Sequence, residues 1–221
     1  VKDNNDYPKK NIEPRGKINL NEFTLISQIG KGTFGKIYAV MWKKNGKNYA
    51  IKKEVLNDFE YVKTRQNIVK LINEFLFKTK NKGVIEIYSH LYEKEKDDNF
   101  NYYELMEMGE RDLENEINLR RNTNSYYTEK ELFNMASQII TTLALLQKNH
   151  ITHRDIKPQN ILIVNGHYKL CDFGEIRIMK REGIVVQRIR GSELYMSPIL
   201  FFGLRQNMIQ VRHNTYKSDV F

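Results

Sequence analysis

The run His153-Arg154-Asp155-Ile156-Lys157-Pro158-Gln159-Asn160 brings a carboxylate, an ammonium and an amide into one short stretch. That combination suits phosphoryl transfer, in which positioning and charge neutralisation matter more than covalent chemistry. Asp155 can accept or orient a hydroxyl, Lys157 can neutralise charge on a moving phosphoryl group, and Asn160 can ligate Mg²⁺. Asp172-Phe173-Gly174 follows a short hairpin and returns a second carboxylate, Asp172, beside Asn160. Mg²⁺ takes oxygen ligands and completes its shell with phosphate and water, so Asp172 and Asn160 form the candidate metal pair.

Two further features lie upstream. Gly30-Lys31-Gly32-Thr33-Phe34-Gly35 is a glycine-rich turn whose backbone N–H groups could approach phosphates closely. A dinucleotide-binding turn of the same letters would lead into a helix, but Ile37, Tyr38, Val40 and Trp42 follow here, a strand pattern that disfavours that reading. Lys52, in Tyr49-Ala50-Ile51-Lys52, can meet phosphates from a strand if a carboxylate holds it in place.

Positioning these residues requires a sheet first and helices later. Residues 1–19 form a polar leader, rich in Lys and Asn and carrying Pro8 and Pro14. Strands are expected at Phe23–Ile29, Ile37–Trp42 and Asn48–Lys53, the last two joined at Asn45-Gly46. Ile68, Leu71, Ile72, Phe75 and Leu76 recur at helical spacing, and strand patterns at Val84–Tyr88 and Tyr102–Met108 flank a charged loop, Glu93–Asn101. Beyond Gly109, Thr128 with Glu131 fits a capping box, and Leu132, Phe133, Ala136, Ile139, Ile140, Leu143 and Leu146 make one face of a long helix. Asn165-Gly166 between Ile161–Val164 and Tyr168–Cys171 is a hairpin signal. The fold class is therefore α+β, an antiparallel sheet with one main helix over 20–108 and a mainly helical part over 109–221, with a cleft between.

Composition narrows the setting. The 221 residues carry a net charge of +9, but the basic residues are scattered as pairs among acids, which favours a solvated surface over a nucleic-acid patch. The single Cys171 excludes an internal disulfide and a cysteine metal site, and favours an intracellular location, cytoplasmic or nuclear. The sequence has neither a long apolar run nor a secretory leader pattern.

From about Phe23 to its last residue the chain resembles the eukaryotic protein kinase family, whose motifs appear in the same order. The resemblance implies a bilobal fold, ATP and Mg²⁺ as cofactors, and a protein substrate bearing a Ser or Thr acceptor, with Asp155 as the base. It implies that the turn from Gly30 through Lys31, Gly32, Thr33 and Phe34 to Gly35 covers the ATP phosphates, and that Lys52 pairs with a helix glutamate, expected at Glu74. Ile37, Ala50 and Leu162 would sandwich the adenine, Met106 would be the gatekeeper, and Glu107 and Gly109 would offer hinge backbone to the adenine edge. Lys157 and Ser192, the latter in Gly191-Ser192-Glu193-Leu194-Tyr195-Met196-Ser197-Pro198, imply the serine/threonine type. Lys217–Phe221 resembles the start of the central helix of the larger lobe, whose aspartate braces the catalytic loop, so the lobe is expected to be truncated there.

Four departures stand out. Lys78, four residues past Glu74, occupies a place the family fills with an apolar residue, and Ile199 replaces the glutamate of A-P-E. No Ser, Thr or Tyr lies between Gly174 and Gly191, which implies activation without loop phosphorylation, with Glu175 or Glu182 meeting Arg154. The apolar face from Leu132 to Leu146 is expected to be partly uncovered. A pseudokinase or scaffold that binds nucleotide without turnover is the alternative reading, and a small-molecule kinase is a third.

Overall fold

A computed structural model of the chain describes residues 13–32, 35–179 and 183–221. Thr33, Phe34, Glu182 and most of the leader expected over 1–19 lie outside the described residues. The chain divides into two compact units, Val1–Val69 with Glu86–Met108, and Lys70–Ile85 with Gly109–Phe221.

The first unit is a five-stranded antiparallel sheet built from β1 (Phe23–Gly32), β2 (Gly35–Trp42), β3 (Asn48–Leu56), β4 (Ile87–Lys94) and β5 (Phe100–Glu107), in the order β1-β2-β3-β5-β4. Helix α1 (Phe59–Thr79) begins in this unit and ends in the second. Strand alternation sorts the side chains of β3 onto two faces. One face buries Val40, Trp42, Tyr49, Ile51 and Leu105 with Ile18. The other carries Ala50, Lys52 and Glu54, which lie opposite Met106, Glu104 and Tyr102 on β5, while Ile37 of β2 lies opposite Lys52. Val62 of α1 packs on this second face with Phe100 and Tyr102.

β1, β2 and β3 extend a few residues beyond the expected strands, and β4 and β5 depart more. β4 starts at Ile87 rather than Val84, because Val84 makes a lone parallel bridge to Leu170 and the Ile85 N–H donates to the Leu170 carbonyl. The Glu93–Asn101 loop is shorter than expected, since Lys94 still pairs with Phe100.

The second unit contains β6 (Arg111–Asp112), α2 (Leu113–Asn122), α3 (Glu129–Lys148), β7 (Ile151–Thr152), β8 (Ile161–Val164), β9 (His167–Leu170), β10 (Arg177–Ile178), β11 (Ile184–Arg188), α4 (Pro198–Arg205), β12 (Gln210–Asn214) and α5 (Thr215–Val220). Three small sheets join them: β6-β8-β9, β7 with β10, and β11 with β12. The Asn165-Gly166 turn closes β8 on β9 with both residues at positive φ, 49° and 75°, which is the turn geometry those residue types favour. α3 starts at the reciprocal cap of Thr128 and Glu131, as the sequence indicates. Along its expected apolar face Leu143 and Leu146 are buried, whereas Leu132, Phe133 and Ile140 are exposed. The β11–β12 ladder, pairing Ile184–Arg188 with Gln210–Asn214, was not anticipated. Among the described residues no helix is long and apolar enough to cross a membrane.

Candidate active site

In the second unit the loop after β7 is held from beneath by Asp219 of α5. Its carboxylate accepts the backbone N–H of His153 at 2.8 Å and of Arg154 at 2.7 Å. Burial pushes the Asp219 carboxyl above its usual range, opposed by the charge of His153 and by those two N–H donors. His153 is buried, shares a 3.0 Å hydrogen bond with the Cys171 carbonyl and meets Phe173 edge-on. Asp219 and His153 therefore fix the backbone just before Asp155 and just before Asp172.

Asp155 gathers its neighbours through both carboxylate oxygens. Oδ2 lies 2.7 Å from Lys157 Nζ and accepts from Asn160 Nδ2 at 2.9 Å, while Oδ1 accepts from the Ser192 N–H at 3.0 Å and from the Ser192 hydroxyl at 3.1 Å. Lys157 also donates to Ser192 Oγ at 2.8 Å. Asn160 is buried and donates a second bond to the Asp155 carbonyl, so its amide nitrogen faces Asp155 and its oxygen is turned the other way. Its carbonyl accepts from the Cys171 N–H at 3.0 Å, which ties Asn160 to the residue before Asp172. Asp172 sits in a left-handed conformation, φ 59°, unusual for a non-glycine residue. An amide oxygen and a carboxylate on adjoining backbone segments are donors a hard divalent cation accepts, so Asn160 and Asp172 fit Mg²⁺.

Arg154, at φ 73°, donates to the backbone carbonyls of Glu175 and Arg188, each at 3.3 Å, while the Glu175 carboxylate lies 3.8 Å from Arg190. Burial, together with Arg177 and Arg190, holds the Arg154 guanidinium below its usual value. Ile199 lies exposed on α4.

In the first unit Lys52 Nζ lies 2.8 Å from Glu54 Oε1, and Arg65 Nε lies 2.8 Å from Glu54 Oε2. The expectation that Glu74 holds Lys52 needs correction. Glu74 is 65% exposed and pairs along its own helix with Lys70 at 3.9 Å. The buried positions of α1 are Val62, Val69, Ile72 and Phe75, and two residues past Ile72 a helix has turned about 200°, so Glu74 faces outward. Lys78 likewise turns out to Asn149 Oδ1 at 3.0 Å. The signal for Glu54 was its spacing from Lys52, since residues two apart on a strand share a face.

The remaining candidates fall in place unit by unit. Gly30 and Lys31 lie on β1 opposite Ile37 and Lys36, and Gly32 pairs with Gly35 at the turn. A Cβ on Gly35 would collide with the Lys53 carbonyl, and its φ of 153° is one side chains rarely adopt. Ala50 pairs with Ala39 on one side and Met106 on the other. Glu107 ends β5, with its N–H donated to the Glu86 carbonyl. In the second unit Leu162 of β8 packs against Gly109.

The protein kinase domain profile matches residues 23–221. The chain belongs to the protein kinase domain family. Similar proteins are serine/threonine kinases. The serine/threonine-protein kinase TIO of Arabidopsis thaliana is 32% identical over 191 residues, covering 83% of this chain and 13% of that protein. The probable serine/threonine-protein kinase nek2 of Dictyostelium discoideum is 28% identical over 192 residues, 85% of this chain and 45% of that protein. An Aurora kinase of Schizosaccharomyces pombe is 29% identical over 161 residues, 72% of this chain and 42% of that protein. This kinase domain thus spans less than half the length of each.

Proposed function

We propose that the protein transfers the γ-phosphate of ATP to a Ser or Thr hydroxyl of a protein substrate, in the intracellular setting usual for its family. The observation that supports this most is the joint hold on Asp155 by Lys157, Asn160 and Ser192. Asp155 orients the incoming hydroxyl and accepts its proton as the new O–P bond forms and the bond from the γ-phosphorus to the bridging oxygen breaks, with ADP leaving with that electron pair. Lys157, between Asp155 and Ser192, offsets negative charge on the transferring group. Asn160 Oδ1 and the Asp172 carboxylate would hold Mg²⁺, whose positive charge offsets that of the triphosphate when bound. Lys52 meets the α- and β-phosphates, under backbone N–H groups of the Gly30–Gly35 turn. Ile37, Ala50, Met106 and Leu162 offer apolar contacts for adenine, and the backbone of Glu107 and Gly109 its hydrogen-bonding edge.

The test is a radiolabel transfer assay with the full-length protein, MgATP and a generic basic protein as acceptor. Asp155→Ala is expected to abolish transfer while leaving MgATP affinity within a few-fold of wild type. Transfer at the wild-type rate by Asp155→Ala would exclude the assignment. A nucleotide-binding scaffold is the second reading, favoured by one observation: Glu74, the expected helix glutamate, is exposed and pairs with Lys70.

A further inference from the structure

Lys52, Glu54 and Arg65 form a cation–carboxylate–cation chain with side chains only 11%, 3% and 14% exposed. A carboxylate that buried is costly unless charge compensates it, and here a cation lies 2.8 Å from each oxygen, although Oε2 has no hydrogen-bond partner among the described residues and Arg65 Nη2 donates instead to Oε1 at 3.4 Å. The acids of α1 are Glu60 and Glu74, and both are spoken for at the surface. Glu60 pairs with Lys63 at 2.7 Å and Glu74 with Lys70 at 3.9 Å, and both acids are largely exposed. The helix therefore turns a cation, Arg65, toward the sheet, and the carboxylate comes from the strand.

We infer that Glu54 is the positioning residue for Lys52, with Arg65 as its anchor. This rests on the phosphotransfer reading and deepens it. Glu54 lies two residues beyond Lys52 on the same face of β3, about 7 Å along the strand, a span the four-carbon lysine stem covers. Holding that flexible stem in one rotamer keeps the ammonium where phosphate oxygens can find it, at an entropic cost met before nucleotide binds. The guanidinium of Arg65 holds Glu54 in turn by charge, with Nε 2.8 Å from the oxygen that Lys52 leaves and Nη2 donating to the other at 3.4 Å. Placement of α1 is thereby coupled to the lysine through a reversed charge order. Glu104, directly opposite Lys52 on β5, is the other carboxylate of this face and the rival for the role.

The experiment is a double-mutant cycle on the full-length protein, reading the MgATP dissociation constant by titration and kcat by transfer. Glu54→Gln keeps the shape and removes the charge. It is expected to weaken MgATP binding or lower kcat by roughly tenfold in the Lys52 background, the scale of one lost charged hydrogen bond. In Lys52→Met, the same change should alter MgATP affinity less than twofold, since Glu54 then has no lysine to position. Glu54→Asp should recover part of the loss, and Glu60→Gln should match wild type. An equal loss in both backgrounds would make Glu54 a support of the sheet and overturn the inference, as would wild-type behaviour of Glu54→Gln. Coupling of Lys52 to Glu104→Gln in place of Glu54→Gln would overturn it too. If Glu54→Gln does not melt cooperatively, Arg65→Gln carries the test, because Glu54 keeps Lys52 as a partner. A several-fold loss that vanishes in Lys52→Met supports the chain, and a loss that persists there excludes it. Wild-type protein that neither binds MgATP nor transfers phosphate would defeat the phosphotransfer reading, and the inference with it. An active wild type with additive substitutions defeats the inference alone.

Discussion

Ser192 is the smallest part of the Asp155 cluster and the easiest to remove cleanly. Its hydroxyl accepts from Lys157 at 2.8 Å and donates to Asp155 Oδ1 at 3.1 Å, a second link beside the direct 2.7 Å contact of Lys157 with Oδ2. Ser192→Ala leaves the backbone N–H on Asp155 Oδ1 and leaves Asn160 in place, so the carboxylate keeps its orientation. Lys157 loses its second contact and is held by Asp155 alone. We expect kcat to fall by roughly tenfold, about 1.4 kcal/mol, with MgATP affinity unchanged. An unchanged kcat in the transfer assay would show that the hydroxyl has no part in placing Lys157. At this scale the clustering of Asp155, Lys157 and Asn160 was legible, because they stand within a few positions of one another. The sequence carried the lysine partner poorly. In Lys52-Lys53-Glu54 the acid reads as an ordinary solvated charge, and only the face it shares with Lys52 and the approach of Arg65 reveal its burial.

Helix starts were legible for the same reason of locality. Thr128 and Glu131 stand three apart, and each completes a bond to the other's backbone. Arg120 joins the cap by donating to Glu131 at 2.9 Å, and the capping bonds with Arg120 hold the Glu131 carboxyl down at about 2. Thr128→Ala is expected to cost about 1 kcal/mol in chemical unfolding, and a loss below a few tenths would mean that Glu131 alone closes the helix end. The β11–β12 ladder was illegible because its partners lie far apart in the chain, as with Gln187 and Val211 or Val185 and His213, and no turn signal joins them. His213 of β12 is buried, with Nε2 2.9 Å from the Gln187 amide nitrogen and Nδ1 2.8 Å from Ser218 Oγ. A neutral ring accepts from Gln187 and donates to Ser218. A cationic ring would set two donors against each other. Burial and the charge of Arg154 hold its pKa below the usual 6.5. Because the folded value is depressed, the stabilisation is complete above about 6.5 and is lost as pH falls through the folded value. His90, also depressed by burial, acts with the same sign. The melting temperature should therefore drop between pH 7.5 and 5.5, and His213→Gln should shrink that drop while leaving the part due to His90. An undiminished drop in His213→Gln would remove His213 from the account.

For the whole molecule, the candidate residues are divided between the two units: Lys52, Ala50 and Met106 in the first, Asp155, Asn160, Leu162 and Asp172 in the second. If one nucleotide engages both sets, substitutions in either unit must weaken the same ligand. Ligand at a hundred times its dissociation constant stabilises a protein by about 2.7 kcal/mol, which for a chain of this length raises the melting temperature by roughly 5–10 °C. The expected pattern has five parts. MgATP raises the melting temperature, and ATP with a chelator raises it less. Asp172→Asn removes the increment due to Mg²⁺, and Lys52→Met reduces the shift with or without the metal. Asp155→Ala should keep the full shift, because in the proposed reaction its carboxylate serves the acceptor hydroxyl rather than the triphosphate. A shift that ignores Asp172→Asn would detach the metal from that residue. A full shift in wild type with no transfer to any acceptor would favour the scaffold over the enzyme, since binding would survive where the chemistry of Asp155 and Lys157 did not.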